Sequence, residues 1–404
     1  MSHVNRRFAT IDSLRAFALF GVIVVNMTGI VMRFRAEETL AIANPLDDVT
    51  SILSLVFLFG KSRSAFALLF GLGFGLMLMA AQARGGDFRG FFARRMVALL
   101  AIGLVNQLFL FWGDILVWYA LLGSVLLLAR PLPDRQLLRL GLFLNLVPPL
   151  LWAVLAAVAP PRGERSPDDI ARAKAVVATY EGPHYFDVII ENTRRLWTIY
   201  FAGPGLWVTF IGVLGLFMLG YWIARRGVLT NVAANRRLLV RTAAIGVPIG
   251  LALSAVTAAN LMFWKPTGLL RALPPLAYVG APMLALGYMA LAALVLDQRL
   301  RWVKTLMAPV GRMALTNYLI SGALGCLVFY GYGLGLMGKV SFTAVVGVGI
   351  AQFIVLTLFS HLWLAAFRHG PLEWLWRSLS HGQRQPMSKS PSVTLTSGSG
   401  QPPG

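Results

Sequence analysis

The stretch TIDSLRAFALFGVIVVNMTG, residues 10–29, places an acid, a base and an amide in an otherwise apolar run. Such a run is apolar enough to enter a lipid bilayer, where ionisable groups are costly and usually have a function. The stretch therefore predicts a membrane-spanning helix, and it makes Asp12, Arg15 and Asn26 the first candidates for a functional site.

The composition of the whole chain extends this prediction to many spans. Of the 404 residues, 57% are hydrophobic and 13% are charged, and the mean hydropathy is +0.70. These values are far above what a water-soluble domain needs to form one core. We predict an all-α, polytopic membrane protein.

Long apolar runs indicate the number of spans, because a helix needs about 20 residues to cross about 30 Å of hydrocarbon. About ten runs are present: residues 14–32, 64–82, 96–112, 114–129, 137–159, 204–224, 238–260, 274–296, 311–335 and 343–366. The third and fourth runs are nearly fused and predict a tight helical hairpin. A partial helix over Ile52–Phe59 is an alternative that adds one to the count. Residues 1–380 are thus expected to form one transmembrane domain.

The distribution of cations indicates the orientation, since Lys and Arg are retained on the cytoplasmic side. Basic residues precede the first run and follow every even-numbered run. This pattern predicts that both termini are cytoplasmic. It also accounts for the net charge of +20, together with attraction to anionic lipids, so nucleic-acid binding is not expected.

One sizeable loop, about residues 160–203, is predicted on the extracytoplasmic side. Its middle, SPDDIARAKAVVATYEG, starts with an N-cap at Ser166 and Pro167 at the first helical position, which predicts a helix outside the bilayer that acts as a lid. The tail, residues 381–404, is rich in Ser, Pro and Gly and is expected to be disordered in the cytoplasm. The single cysteine, Cys326, predicts neither a disulfide nor a structural zinc site.

The three polar residues of the opening stretch share one helix face. Asp12 and Arg15 are one turn apart, and Asn26 returns within about 20° of the same face, about 16 Å further along the axis. One interpretation is a site with an ion pair near the cytoplasmic end and an amide past mid-membrane. The structural alternative is that Asp12 and Arg15 anchor the helix while Asn26 bonds a neighbouring helix.

Five motifs, in this order, resemble those of the YeiB-like membrane proteins, the family called domain of unknown function 418 (DUF418). They are IDSLRAFALFGVIVVNM (11–27), KSRSAFALLFGLGFG (61–75), GDILVWYALLG (113–123), GRMALTNYL (311–319) and GPLEWLWRSL (370–379). The resemblance covers almost the whole chain up to the tail, and it implies a multi-pass protein of the bacterial cytoplasmic (inner) membrane.

The first motif is also similar to the first helix of membrane acyltransferases, which include heparan-glucosaminide acetyltransferase and the acyltransferase-3 enzymes. This similarity implies transfer of an acyl group from a cytoplasmic donor, acetyl-CoA or another acyl-CoA, to a glycan, lipid or small-molecule acceptor. The shared Asp-x-x-Arg element is Asp12 and Arg15 here, and Asn26 matches an asparagine of the acetyltransferase. The catalytic histidine that follows in the acetyltransferase has no counterpart in this chain.

Acyl transfer needs a base near the acceptor and a donor that stabilises the oxyanion. Asn26 is expected to polarise the thioester carbonyl, and Glu37, Glu38 or the lumen-side His184 to act as the base. The structural alternative for Glu37 and Glu38 is a solvated acidic pair in a loop.

Several cations are candidates for binding the donor. Arg94 and Arg95 are expected on the cytoplasmic side, where they are suited to hold the phosphates of a CoA-type donor, although the positive-inside rule alone would also place them there. Arg312 shares a face with Thr316 and is predicted to line the same cavity as the Asp-x-x-Arg element.

Four further polar residues are candidates for substrate binding. Lys61 and Arg63 are expected where the chain re-enters the membrane; they either bind an anionic head group or extend to the interface. Asp114 is either a ligand-site acid or the cap of the fourth helix. Asn317 belongs to the polar group of the ninth run. No metal site is predicted.

Two other motifs favour structural roles. Gly71 and Gly75 form the small-x-x-x-small pattern of a helix contact. Glu373 and Arg377 are spaced as an i,i+4 pair and, with the tryptophans between them, predict an interfacial helix that docks the C-terminus.

A secondary transporter of a small solute is the alternative function. Many spans, intramembrane polar groups and prolines such as Pro149, Pro248 and Pro282 also suit broken helices around a central site. A transporter predicts paired halves, an acyltransferase predicts a cavity beside Asp12 and Arg15 open to the cytoplasm, and a non-catalytic scaffold predicts no deep polar cavity. A homo-oligomer is also compatible with the sequence.

Overall fold

The computed structural model describes residues 3–32, 44–159, 166–200, 203–263, 266–298 and 300–389. The secondary structure of these residues is helical apart from one isolated antiparallel bridge, Phe367 with Ser388. The α-helices are α1 (His3–Met32), α2 (Asp47–Leu53), α3 (Lys61–Gln82), α4 (Phe88–Phe109), α5 (Leu116–Leu126), α6 (Asp134–Val158), α7 (Pro167–Glu181), α8 (Tyr185–Tyr200), α9 (Gly203–Arg225), α10 (Arg236–Met262), α11 (Ala277–Gln298), α12 (Arg301–Arg312), α13 (Ala314–Phe329), α14 (Phe342–Ala366) and α15 (Pro371–His381).

Seven helical segments in the described ranges are long and apolar enough to cross a membrane. They are Ala9–Val31, Asp47–Gln82, Asp134–Val158, Leu206–Arg225, Arg236–Met262, Gly268–Leu296 and Phe342–Ala366. Helices α12 and α13 form an eighth span if the pair, bent by 74°, is counted as one. The all-α, multi-pass architecture predicted from the apolar runs is thus present.

The remaining difference from the predicted count of about ten comes from the third and fourth runs. These runs form the packed pair α4 and α5, as the hairpin prediction required. Helix α5 has only 11 residues, so it is about 16 Å long and does not cross a bilayer by itself.

Helix α1 lies at the centre of the bundle. It packs against α3, α11, α12, α13 and α14, and its side chains Leu19, Ile23, Met27 and Ile30 are fully buried. Small residues let the backbones approach: Gly325 of α13 faces Met27, and Gly349 of α14 faces Val24. The polar face of α1 is therefore held inside the protein.

The predicted helix contact at Gly71 is observed. A Cβ atom at this position would overlap the backbone carbonyl of Phe217 in α9, and one at Gly75 would crowd Tyr221. Helices α10 and α11 are packed equally closely through Gly246 and Gly287. Close backbone packing through small residues thus joins two of the main helix pairs.

The second span is broken inside the bundle. Helix α2 continues into a π-helical turn, Ser54–Leu58, after which Phe59 is extended and Gly60 has a φ of 82°. The predicted partial helix over Ile52–Phe59 corresponds to this segment. Helix α3 starts at Lys61, beside Gly21, which packs against Ser62. Because Gly21 is central in the Ala9–Val31 span, α3 starts near mid-span.

Two helices cover one end of the bundle, at the turn between α4 and α5. Helix α7 begins as predicted, with the Ser166 hydroxyl accepting from the amide of Asp169. Helix α8 follows it. Asn192 donates to the carbonyl of Leu108, and the Tyr185 hydroxyl donates to that of Phe109.

The predicted docking helix, α15, lies at the opposite end, where Glu373 accepts from α13 and does not form its expected pair with Arg377 within the described residues. The Trp376 indole donates to the carbonyl of Arg95, and Arg94 donates to that of Ser380. The segment after α15, up to residue 389, packs beside the end of α14, because the amide of Arg368 donates to the carbonyl of Met387. The remainder of the predicted tail, residues 390–404, lies outside the described residues.

Candidate functional site

A cavity of about 2330 Å³ runs through the bundle between α1, α3, α5, α6, α9, α10, α11 and α13. Its lining includes Asp12, Arg15, Asn26, Lys61, Arg63, Arg95, Asp114 and Arg312. Eight of the residues singled out in the sequence are thus brought to one space, although they come from four helices, α1, α3, α4 and α12, and one loop.

Arginines surround one end of this cavity, and we call Arg84, Arg95, Arg312, Arg368 and Arg377 the basic mouth. They come from the ends of α3, α4, α12 and α14 and from α15. The guanidinium of Arg95 lies 3.4 Å from the ring centre of Trp376, which fixes its position. Arg312 donates to the carbonyl of Arg368.

The acidic residues at the same end are occupied by structural contacts. Asp12 pairs with Arg15 at 2.6 Å, and Asp87 accepts from the amide of Gly90 as the N-cap of α4. Glu373 accepts from the amides of Leu315 and Thr316 at 2.7 and 3.1 Å and from the Thr316 hydroxyl, so it caps α13. The basic mouth therefore keeps an excess of positive charge, which favours a polyanionic ligand.

His369 also lines the basic mouth. Burial lowers the pKa of this histidine from its ordinary value, and the positive charges of Arg377, Arg312 and Arg368 lower it further. An anion bound among these arginines would favour the protonated ring.

Asn26 lies deeper in the cavity. Its amide nitrogen is buried and has no hydrogen-bond partner among the described residues. The predicted structural alternative, a hydrogen bond to a neighbouring helix, is not formed by that nitrogen within the same ranges. A buried donor without a partner is costly, so Asn26 is suited to a ligand oxygen.

Lys61 and Arg63 lie at the mid-span start of α3. Lys61 is only 5% exposed, and its ammonium group donates to the carbonyl of Leu55 at 2.6 Å. The predicted extension of Lys61 to the membrane interface is therefore not observed. Arg63 is half-buried, and neither cation pairs with a carboxylate within the described ranges.

Asp114 acts as a cap and connects three helices. Its carboxylate accepts from the amides of Leu116 and Val117 at the start of α5, from the Asn106 amide at 2.8 Å and from the Tyr318 hydroxyl at 3.1 Å. The capping alternative proposed from the sequence is thus observed, on the wall of the cavity.

Three other sequence candidates, all within the described ranges, lie away from the cavity lining. Arg94 contacts α15, and His184 is exposed between α7 and α8. Asn317 is buried and donates to Ser360, so it joins α13 to α14. Glu37 and Glu38 lie outside the described residues.

Sequence reasoning missed part of the lining. Arg84, Arg368 and His369 lie at the basic mouth, but in the sequence they are only members of positively charged span ends. Tyr119 of α5 donates to the carbonyl of Arg63 and braces the start of α3. The sequence signal that could have identified Tyr119 is its place in the GDILVWYALLG motif.

Comparisons with known proteins give relatives along most of the chain. Residues 223–383 match the model of a protein family of unknown function, DUF418. The chain is 31% identical to the uncharacterized protein YxaH of Bacillus subtilis (strain 168), over 96% of this chain and 98% of that protein. It is 30% identical to the uncharacterized protein YeiB of Escherichia coli (strain K12), over 93% and 96% of the two chains.

Proposed function

We propose a function from one premise: the chain belongs to the DUF418 family. The protein is a transmembrane acyltransferase that receives an acyl group from an acyl-CoA-type donor at the basic mouth and delivers it to an acceptor within the membrane. One observation carries this proposal: the basic mouth continues into a cavity that reaches the Asn26 amide, whose nitrogen has no hydrogen-bond partner in the described part of the chain.

The proposed topology follows from the same charges. Arginines concentrate at the end of the bundle that holds the basic mouth, and basic residues are retained in the cytoplasm. We therefore place the basic mouth and both termini on the cytoplasmic side of the bacterial inner membrane, with α7 and α8 on the other side. We count about ten crossings: the eight long spans, with the bent pair α12 and α13 as one, and the α4–α5 hairpin, in which the short α5 and the turns after it return the chain to the cytoplasmic side.

The donor's chemistry matches the two parts of the cavity. The phosphates of a CoA-type donor are polyanionic and suit the arginine forks of the mouth. Arg15 and Asn26 are about 16 Å apart along α1, so an extended thioester arm between them would carry the acyl carbonyl to Asn26. Arg15, already paired with Asp12, lines this path.

The proposed reaction is acyl transfer to a hydroxyl group. The acceptor oxygen bonds to the acyl carbon, the carbon–sulfur bond breaks, and the thiol leaves with a proton. The Asn26 amide donates to the oxyanion that forms, and a base takes the acceptor proton. Glu37 and Glu38, which follow α1, are the carboxylates proposed for that base.

Titration of the purified protein with acetyl-CoA and longer acyl-CoAs in detergent tests this function. We expect saturable binding in the wild type, weakened about tenfold by Arg312→Ala because one charged contact to phosphate is lost. Arg237→Ala is the matched control, since Arg237 is exposed and does not line the cavity. Folded wild-type protein that binds no acyl-CoA would refute the proposal.

Turnover measures the proposed role of Asn26 separately. We expect Asn26→Ala to lower kcat roughly 10²-fold or more for acyl transfer while leaving donor affinity within a few-fold, as for the loss of an oxyanion donor. An equal loss of affinity with unchanged kcat would make Asn26 a binding residue only.

A secondary transporter is the second candidate, and the broken second span favours it. Helix breaks near mid-span, as at Phe59 and Gly60, and the 74° bend before α13 are features of carriers with a central site. Proteoliposomes that accumulate a labelled solute down an ion gradient, with no acyl transfer, would favour this candidate.

A further inference from the structure

We propose that Lys61 and Arg63 form a phosphate-binding site at mid-span. The acceptor of the proposed acyl transfer then carries a phosphate group as its anionic head; this assignment rests on the proposed function, whereas the phosphate site does not. The favoured source of that phosphate is a lipid.

The charge balance of this region is the first argument. Two cations, Lys61 and Arg63, line the cavity, and Lys61 is almost fully buried. Isolated charges at membrane depth are costly unless an anion or a polar network compensates them. Asp114 is the carboxylate on the inner wall of the cavity, and it is already occupied by four hydrogen bonds. An anionic ligand would supply the compensation.

Position is the second argument. Gly60 ends the break in the second span, and α3 starts directly after it with no side chain capping its N-terminus. The first amides of a helix and its dipole favour an anion at this point. Because Ser62 packs against Gly21, this helix start lies deep in the bundle, where water competes less for the ligand.

The available donors match a phosphate. The ammonium group of Lys61 has three N–H donors, of which one reaches Leu55, and the Arg63 guanidinium has five. A phosphate monoester offers three terminal oxygens to a lysine point charge and an arginine fork. Asn26 adds to the lining of the same cavity an amide nitrogen that has no partner among the residues the structure describes.

The surrounding wall favours a lipid as the source. Val22, Val25, Leu55 and Leu58 line the cavity together with these cations. Apolar side chains beside a buried anion site suit a molecule that joins a phosphate to a hydrocarbon chain.

The test compares amphiphiles that differ only in phosphate. The protein is placed in phosphatidylcholine nanodiscs, and its thermal unfolding midpoint is followed with hexadecyl phosphate, hexadecanol or sodium phosphate. We expect hexadecyl phosphate to raise the midpoint of the wild type and hexadecanol to leave it unchanged, because a ligand that binds only the folded state stabilises it.

Substitutions of Lys61 and Arg63 test whether the phosphate binds at these two residues. We expect Arg63→Gln and Lys61→Gln each to weaken the hexadecyl phosphate response at least tenfold in ligand concentration, and Arg63→Lys to keep part of it. Arg237→Gln is the control and should respond like the wild type. Equal responses in the wild type and both Gln variants would overturn the proposal, as would equal responses to hexadecyl phosphate and hexadecanol.

The remaining outcomes distinguish a lipid from a soluble phosphate as the ligand, and the phosphate site from the proposed acyltransferase. A response to sodium phosphate as large as that to hexadecyl phosphate would keep the phosphate site but replace the lipid by a soluble phosphate. Acyl-CoA binding is measured on the same Arg63→Gln protein. Retained acyl-CoA binding with a lost phosphate response would support a site distinct from the basic mouth, whereas wild-type protein that binds phosphate but no acyl-CoA would refute only the acyltransferase.

Discussion

At the scale of single residues, the site is set by which charges have partners. Asp12 and Glu373 are used by the protein itself, in an ion pair and in a helix cap. Lys61, which uses one of its three donors on the carbonyl of Leu55, and the amide of Asn26 instead line a cavity. An unsatisfied buried group costs more free energy than a satisfied one gains, so such groups mark where a ligand is needed.

His369 gives the first prediction, because its pKa lies below the ordinary value in the unliganded protein. A polyanion among Arg312, Arg368 and Arg377 would raise that pKa again, so binding takes up a proton and tightens as the pH falls. We expect CoA affinity to increase more between pH 7.5 and 5.5 in the wild type than in His369→Gln, measured by titration. Identical pH profiles would contradict the coupling.

The lowered pKa of His369 also affects stability, in the opposite direction with pH. The folded protein binds a proton at His369 less readily than the unfolded chain does, so protonation favours the unfolded chain. The contribution of the neutral His369 to the free energy of unfolding is therefore fully present above about pH 6.5 and is lost as the pH falls. His369→Gln removes that part of the acid destabilisation.

At the scale of helices, small residues decide which elements can meet. Helix α3 approaches α9 closely enough that Gly71 touches the backbone of Phe217. This contact holds the wall of the cavity next to Phe70 and Phe217, whose rings stack. Without it, the two helices would separate by the thickness of a side chain.

Gly71→Ala is therefore expected to destabilise the protein. The added Cβ meets backbone that cannot move without shifting a helix, which costs about 1–3 kcal/mol, more than the roughly 1 kcal/mol of helix propensity gained. Gly347→Ala in α14 is the control, since nothing lies within 4 Å of its Cβ position. We expect a lower thermal unfolding midpoint for Gly71→Ala only; a midpoint that is unchanged or raised would show that α3 and α9 can separate freely.

At the scale of the whole molecule, charge distinguishes the two ends of the bundle. The basic mouth, α12 and α15 lie at one end, and α7 and α8 cover the turn between α4 and α5 at the other. This separation gives the proposed route from donor to acceptor a direction.

The proposed topology predicts the behaviour of reporters. A fluorescent protein fused to the C-terminus should fold and fluoresce in bacteria, and alkaline phosphatase at that place should be inactive, because phosphatase needs the oxidising periplasm. Phosphatase inserted within residues 160–165 is the matched control and should be active. The reverse pattern would invert the bundle and place the basic mouth outside.

The amino-acid sequence by itself determined the membrane class, the positions of the long apolar helices and the polar face of α1, whereas α8 and α12 were not predicted. Apolar length and helical periodicity are local properties, so residues 14–32 or 343–366 reveal a span without reference to the rest of the chain. The same holds for Ser166 as an N-cap and for the α15 motif.

Only the tertiary structure decided which polar groups belong to the site. Asp114 is a shared cap because Tyr318, more than 200 positions away, reaches it, and Lys61 lies at mid-span because α3 starts beside Gly21. Asn317 lies outside the site because it donates to Ser360, a partner that is also distant in the chain. Partners that are distant in the chain determine whether a polar group is satisfied, and no local pattern records that distance.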